Sequence, residues 1–246
     1  MVPAAATRLL EAVDRAFERL PGRADREFVF SGPAARRAAA LTFDDGPSPA
    51  NTPRVLDLLA RERARATFFV VGECVEGREE ILRRAVAEGH ELANHTYSHP
   101  HTIGLSRGKL RQELVRTNEA LGPFAEIRLS RPPFGKDRRR FSEVGAQLGL
   151  RMTLWSVDSG DTSGATADEI ESTVLARTSP GAIVLMHDGG DRRPATLKAV
   201  ESLVPRLRES GIELVTVSEL LAPAAPAHPA VRPASPSSAR EQRLSQ

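Results

Sequence analysis

Ala38-Ala39-Ala40-Leu41-Thr42-Phe43-Asp44-Asp45-Gly46-Pro47 is an apolar run that ends in two adjacent carboxylates and then turns through Gly46 and Pro47. A short continuous apolar run closed by such a turn signal reads as a buried strand. The pattern recurs on either side of longer stretches with helical period, at Ala66 to Val71, Glu91 to Asn94, Ile127 to Leu129, Met152 to Val157, Ala182 to Met186 and Glu213 to Val217. Thr52-Pro53 and Ser106 mark helix starts, and Gly89, Gly149 and Gly211 mark helix ends. Strands alternating with helices predict an α/β fold, a distorted (β/α) barrel of about seven parallel strands. No internal repeat is evident.

Most residues capable of chemistry directly follow these runs. Asp44 and Asp45 follow the first, His95 and His99 the third, Arg131 the fourth, Asp158 and Asp161 the fifth, and His187 the sixth. In a parallel barrel the strand C-termini open on one face, so residues far apart in sequence are expected to converge there.

The 246 residues suffice for one such domain, and 40% hydrophobic with 27% charged residues fits an ordinary globular protein. Thirty-four basic residues against 32 acidic ones leave a charge of +2, so the pI of 9.1 reflects a shallow excess and no nucleic-acid partner is expected. The one basic cluster, Arg128, Arg131, Lys136, Arg138, Arg139 and Arg140, reads as solvated surface over its Lys136 to Arg140 part. No apolar run is long enough to span a bilayer. Cys74 is the only cysteine, which precludes an internal disulfide, and it reads as a small buried hydrophobe.

Residues 1–37 read as an N-terminal helix and linker, because Glu11, Asp14 and Glu18 interrupt Ala4 to Leu20 at helical spacing, unlike a secretory signal. On that basis the expected compartment is the cytoplasm. Residues 222–246, rich in Ala, Pro, Ser and Arg, read as a disordered tail. The core domain spans 38–221.

His95 and His99 are four residues apart, so on a helical turn both imidazoles would share a face and could reach one ion. Alone, the pair could equally be two surface histidines. Asp44 and Asp45 change that balance: leaving a strand they point in different directions, so one carboxylate can join the histidines while the other stays free as a base.

Five segments together resemble the polysaccharide deacetylase family, also called carbohydrate esterase family four or the NodB homology domain. They are Thr42 to Pro47, His95 to His99, Arg131-Pro132-Pro133-Phe134-Gly135, Asp158-Ser159-Gly160-Asp161 and Leu185-Met186-His187-Asp188. Ala66-Thr67-Phe68-Phe69-Val70-Val71-Gly72 and Gly89-His90-Glu91-Leu92-Ala93-Asn94 match as well, and the resemblance covers 38–221.

The resemblance implies that Asp45, His95 and His99 hold a divalent metal, zinc first, with cobalt or another divalent ion as alternatives. Three N/O ligands leave coordination positions open, as a catalytic zinc site requires. It implies Asp44 as general base, Arg131 as the partner that orients it, and the Phe134 main-chain N–H as an oxyanion donor, worth about 3 kcal/mol in the transition state. His187 matches the general acid, Asp161 the carboxylate that raises its pKa, and Leu185 the apolar wall of the acetyl pocket. Trp155, the only tryptophan, is a further candidate for the substrate wall, although core packing is its stronger reading. Where the family usually carries tryptophan after the second aspartate of motif four, this chain has Thr162. Among the other histidines, His90 reads as packing and His101 falls near the cleft rim.

The implied activity is metal-dependent removal of N-acetyl groups from an N-acetylglucosamine-type poly- or oligosaccharide. Thr162 and the lack of a recognisable signal peptide favour the alternative of a small N- or O-acetylated substrate. Two further readings weigh less. A non-catalytic carbohydrate-binding protein should have lost ligands or base, and a non-haem iron oxygenase would be expected on an all-β scaffold. By family habit the location would be extracellular or at the cell wall. The sequence leaves the oligomeric state open.

Overall fold

The structure, a computed structural model, describes residues 28–223. The expected helix at 4–20 and all but the first two residues of the expected tail lie outside the described residues. In chain order the elements are β1 (Phe28–Val29), β2 (Ala38–Asp44), α1 (Thr52–Arg61), β3 (Ala66–Val70), α2 (Glu79–Ala87), β4 (Glu91–Asn94), α3 (Arg107–Leu121), β5 (Leu129–Ser130), α4 (Arg138–Ala146), β6 (Arg151–Thr153), β7 (Val157–Asp158), α5 (Ala167–Arg177), β8 (Ile183–His187), α6 (Pro194–Glu209), β9 (Glu213–Leu214) and α7 (Val217–Leu221). Two 3-10 turns occupy Gly72–Cys74 and Pro133–Gly135.

The strands form one parallel sheet in the order β1-β6-β5-β4-β3-β2-β8-β7, with β9 added at the start of β2. Curled and flanked by helices, it is the expected distorted parallel barrel. Every residue of β2 is buried, as a strand covered on both faces requires. Side chains alternate along it. Ala39, Leu41 and Phe43 pack with Val55, Leu56 and Leu59 of α1 and with Leu203 and Leu207 of α6. Ala38 and Ala40 face the other way, toward Phe69, Ala93, Leu129 and Ile183. Small side chains on this inner face let the sheet curl tightly, and Val217 and Leu220 of α7 pack into the same cluster.

Helix limits follow the expected punctuation. Ser106 caps α3 by accepting from the Lys109 N–H, and Gly89, Gly149 and Gly211 stand just beyond helix ends with φ of +83°, +73° and +80°.

Three strand expectations need correction. The run Met152 to Val157 is two strands, because the chain crosses at Leu154-Trp155-Ser156 from one end of the sheet order to the other. Leu154 N–H donates to the Val29 carbonyl at 2.7 Å and Ser156 N–H to the Ile183 carbonyl at 3.0 Å. Leu154 is buried throughout, so hydrophobicity does not mark the break. The run at Glu213 stops at Leu214, since Thr216 and Glu219 form a reciprocal capping box that makes Val217 helical. The fourth run is Leu129–Ser130, and Ile127 packs from outside the strand. In addition, β1, within the stretch read as linker, pairs with β6. Cys74 is only half-buried. No helix among the described residues is long and apolar enough to cross a membrane.

Candidate metal and catalytic site

Strand register brings the expected residues level. Asp44 lies beside His187 on β8 and Phe69 on β3, Val70 beside Asn94, Asn94 beside Ser130, and Asp158 beside Leu185. The ladder continues past the strand ends, with His95 N–H donating to the Val70 carbonyl and Arg131 N–H to the Asn94 carbonyl, each at 2.9 Å. Asp44, Asp45, His95, His99, Phe134 and His187 therefore surround one cleft of about 320 Å³, and Trp155, Asp158, Thr162 and Leu185 complete its wall.

Asp45 leaves the strand with φ +72°. Its Oδ1 lies 3.4 Å from His95 Nε2 and 3.2 Å from His99 Nε2, and the candidate ligand atoms of the three residues lie within 4.8 Å of one another. That oxygen is buried and accepts no hydrogen bond, an arrangement a protein interior rarely tolerates unless an ion supplies the partner. His95 Nδ1 sits 2.8 Å from the Arg131 carbonyl. Facing an acceptor, Nδ1 must carry the proton, which leaves the Nε2 lone pair directed at Asp45. Burial and the neighbouring His95 hold the His99 imidazole below its ordinary pKa, which favours the neutral form that a ligand needs. Burial alone would raise the Asp45 carboxyl, but the neighbouring His95, His187 and His99 imidazoles outweigh it and hold the group ionised. Two imidazoles and one carboxylate suit a divalent ion of zinc's type.

The histidines do not converge on a helical turn as the spacing suggests. Residues 95–99 form a loop, and Thr96 and His99 adopt left-handed backbone with φ +68° and +49°.

Arg131 is wholly buried. Its Nη1 donates to Asp44 Oδ1 at 2.6 Å and to Thr42 Oγ1 at 2.9 Å, its Nη2 to the Leu154 carbonyl at 2.9 Å and its Nε to the Thr153 carbonyl at 3.2 Å. Phe69 covers the guanidinium at 3.8 Å. The arginine thus fixes Asp44 Oδ1 and satisfies carbonyls where β6 ends. Asp44 Oδ2 remains 3.7 Å from His95 Nε2, directed toward the cleft. Within the Lys136 to Arg140 stretch, Arg138 donates to the Gly135 carbonyl, Arg139 pairs with Glu143, and Arg140 with Asp137 and the Thr102 carbonyl.

Across the cleft His187 Nδ1 meets Asp161 Oδ1 at 2.8 Å. The other carboxylate oxygen accepts from the His187 N–H at 2.9 Å and the Thr196 hydroxyl at 3.1 Å. Burial alone would lower the His187 pKa, but the Asp161 hydrogen bond and the carboxylates of Asp44, Asp161 and Asp45 outweigh it and hold the pKa above the ordinary histidine value. Asp161 is held below its usual range despite burial, chiefly by His187.

Phe134 is 51% exposed, with φ +60°, and its ring stacks on His101 at 4.3 Å. Trp155 both lines the cleft and packs in the core, and His90 is buried against Phe68.

Four contributors receive no role from the sequence reading, although Thr42 and Asp188 stand inside its motifs. Thr42 and Thr196 look like ordinary strand and helix residues. Arg193 reaches within 3.9 Å of Asp45 Oδ2. Asp188 lies wholly buried beneath the Asp45–Pro47 turn, where burial and then the Asp45 and Asp44 charges push its pKa up to about 7 despite the hydrogen bond from Thr52. A Cβ at Gly46 would meet both Asp188 oxygens at 2.6 Å, which explains the glycine of the turn. Only the Asp-Asp-Gly-Pro and His-Asp segments could have signalled this contact.

The polysaccharide deacetylase family profile matches residues 31–153. A chitooligosaccharide deacetylase of Bradyrhizobium sp. is 40% identical over 198 residues, covering 75% of this chain and 90% of that protein. The Bc1960 peptidoglycan N-acetylglucosamine deacetylase has the same fold at TM-score 0.76 and 33% identity, over 79% of this chain and 92% of its own. A CE4 family pseudoenzyme from Bacillus anthracis superposes at TM-score 0.74 with 27% identity, over 79% of this chain and 69% of its own. Likeness of this extent in both sequence and fold establishes that the chain belongs to the polysaccharide deacetylase family, carbohydrate esterase family four.

Proposed function

We propose that the protein hydrolyses N-acetyl groups on an N-acetylglucosamine-containing saccharide, of the peptidoglycan or chitooligosaccharide kind on which its relatives are named to act. The observation that carries this is the placement of two separate proton-handling pairs, Arg131–Asp44 and Asp161–His187, around the orphaned Asp45 oxygen and its two histidines. A pseudoenzyme on the same fold means that fold alone does not decide activity. What supports activity here is that the residues read as base, acid and metal ligands are all present and mutually oriented, which speaks against a purely carbohydrate-binding role.

Asp45, His95 and His99 hold the ion, with zinc the first choice for this ligand set. A divalent ion held there would supply Lewis-acid polarisation of the acetyl carbonyl and would lower the pKa of a water beside it. Asp44, fixed through Oδ1 by Arg131, takes the proton of that water as oxygen adds to the carbonyl carbon. The Phe134 N–H donates to the developing oxyanion. His187, kept protonated by Asp161, delivers a proton to the nitrogen as the C–N bond breaks, leaving acetate and a free amine.

Acetate release across N-acetylglucosamine oligomers, peptidoglycan fragments and small N-acetylated glycosides tests the reading. Turnover confined to small glycosides or O-acetyl esters would replace the polymer by a small acetylated substrate. Thr162 is exposed on the cleft wall, and Thr162→Trp tests whether it adapts the site to a substrate: if the site takes something bulkier than a plain acetyl sugar, restoring a bulky ring there depresses turnover of that substrate while sparing small acetyl esters. Unchanged selectivity over the panel would count against a role for Thr162.

A further inference from the structure

Thr96 and His99 hold a backbone conformation that non-glycine residues adopt at a cost and keep only where their surroundings over-determine it. The restraints come from two sides. Gly72 N–H donates to the Thr96 carbonyl and Glu73 N–H to the Tyr97 carbonyl, each at 2.9 Å. From α3, Glu113 Oε2 accepts from the Tyr97 N–H at 2.9 Å and the Ser98 N–H at 2.8 Å, and its Oε1 accepts from the Ser98 hydroxyl at 3.1 Å. Between them Tyr97 is wedged, with the Arg116 guanidinium 3.5 Å from the centre of its ring and no room for a Cβ on Gly72, which would stand 2.6 Å from Tyr97 Cδ2.

We propose that Glu113 is a positioning residue whose carboxylate presets the spacing of His95 and His99, and thereby the affinity for the divalent ion, without touching ion or substrate. This rests on Asp45, His95 and His99 being the metal ligands. Two consecutive main-chain N–H groups on one carboxylate oxygen are charge-assisted bonds, stronger than the water contacts an exposed loop would otherwise make. They fix two of the three residues between the histidines, Tyr97 and Ser98, so much of the cost of ordering the loop is met before the ion arrives. A helix glutamate with only a solvation role would not aim three hydrogen bonds at a single loop.

Metal-free wild type, Glu113→Ala and Glu113→Gln are titrated with zinc against a chromophoric chelator of known affinity, and thermal unfolding of the same metal-free proteins is recorded. Glu113→Ala is expected to weaken zinc binding about 10- to 100-fold, the range for groups that support ligands from behind. Its metal-free melting temperature should stay near that of wild type, because Ser98 is exposed and Tyr97 only half-buried, so water can reach the freed N–H groups. Glu113→Gln, whose amide oxygen can still accept both N–H bonds, should recover most of the affinity. Wild-type affinity in Glu113→Ala overturns the proposal, as does equal weakening in Glu113→Gln. Should Glu113→Ala fail to fold, Glu113→Asp, one methylene too short to reach both N–H groups, takes its place with the same two outcomes. Failure of the wild type itself to bind zinc would overturn the ligand assignment, and the proposal with it.

Discussion

Asp45→Ala, His95→Ala and His99→Ala are each expected to lose bound zinc and deacetylation together. A site with three protein ligands has none to spare, and each side chain has a distinct reason to matter. Without Asp45, two imidazoles 5.0 Å apart between ring centres lose the carboxylate that lies between them. Without His95, the ligand whose Nδ1 is fixed by the Arg131 carbonyl is gone, so the most rigidly oriented donor is removed. Loss of His99 spares that anchor but leaves only two ligands. Metal content after dialysis against metal-free buffer, measured beside acetate release, checks the expectation. One equivalent of zinc retained in all three variants would rule out the ligand assignment, whatever happened to turnover.

Motif residues could be read from the sequence because the fold makes their position nearly compulsory. A run such as Ala38 to Phe43, short and closed by a turn signal, reads as a buried strand, and parallel pairing with Ala66–Val70 and Ile183–His187 then brings Asp44 level with His187. What supports them was harder to see. The stretch Met152 to Val157 is continuously apolar or small, yet it breaks at Leu154, where the neighbouring carbonyls are taken by Arg131, and no local propensity records a bond to a residue so far back in the chain. Glu113 gives no signal either, since an acidic residue in a helix is ordinary and its partners are main-chain N–H groups. The helical turn inferred from the His95–His99 spacing was the wrong local geometry for the right convergence. Spacing limits how far apart two side chains lie, and the loop meets that limit with two left-handed residues instead.

Asp44→Asn and His187→Ala should keep zinc and fold, yet lose on the order of 10² to 10⁴ in turnover, because each moves a proton and neither belongs to the proposed ligand set. Asp44→Asn still accepts from Arg131 through its amide oxygen, so the buried guanidinium keeps a partner while the base is gone. The His187 variant separates acid catalysis from packing through its pH profile. Folding raises the His187 pKa, so the pair with Asp161 contributes stability that is full below the unfolded histidine value and fades as pH rises through the folded one. Catalysis has the same sign: His187 is in its proton-donating form below its folded pKa, and amide turnover should fall on the basic side as that proton is lost. Asp161→Asn removes two of the influences that hold the pKa up, its charge and its charge-assisted hydrogen bond, so the basic limb should move to lower pH. In His187→Ala the limb should flatten, and the loss should be severe for amides and slight for activated esters. An amine must be protonated to leave, whereas the leaving group of an activated ester need not be. Equal loss on both substrates would assign His187 to structure, with Asp161 holding it in place and the proton coming from elsewhere.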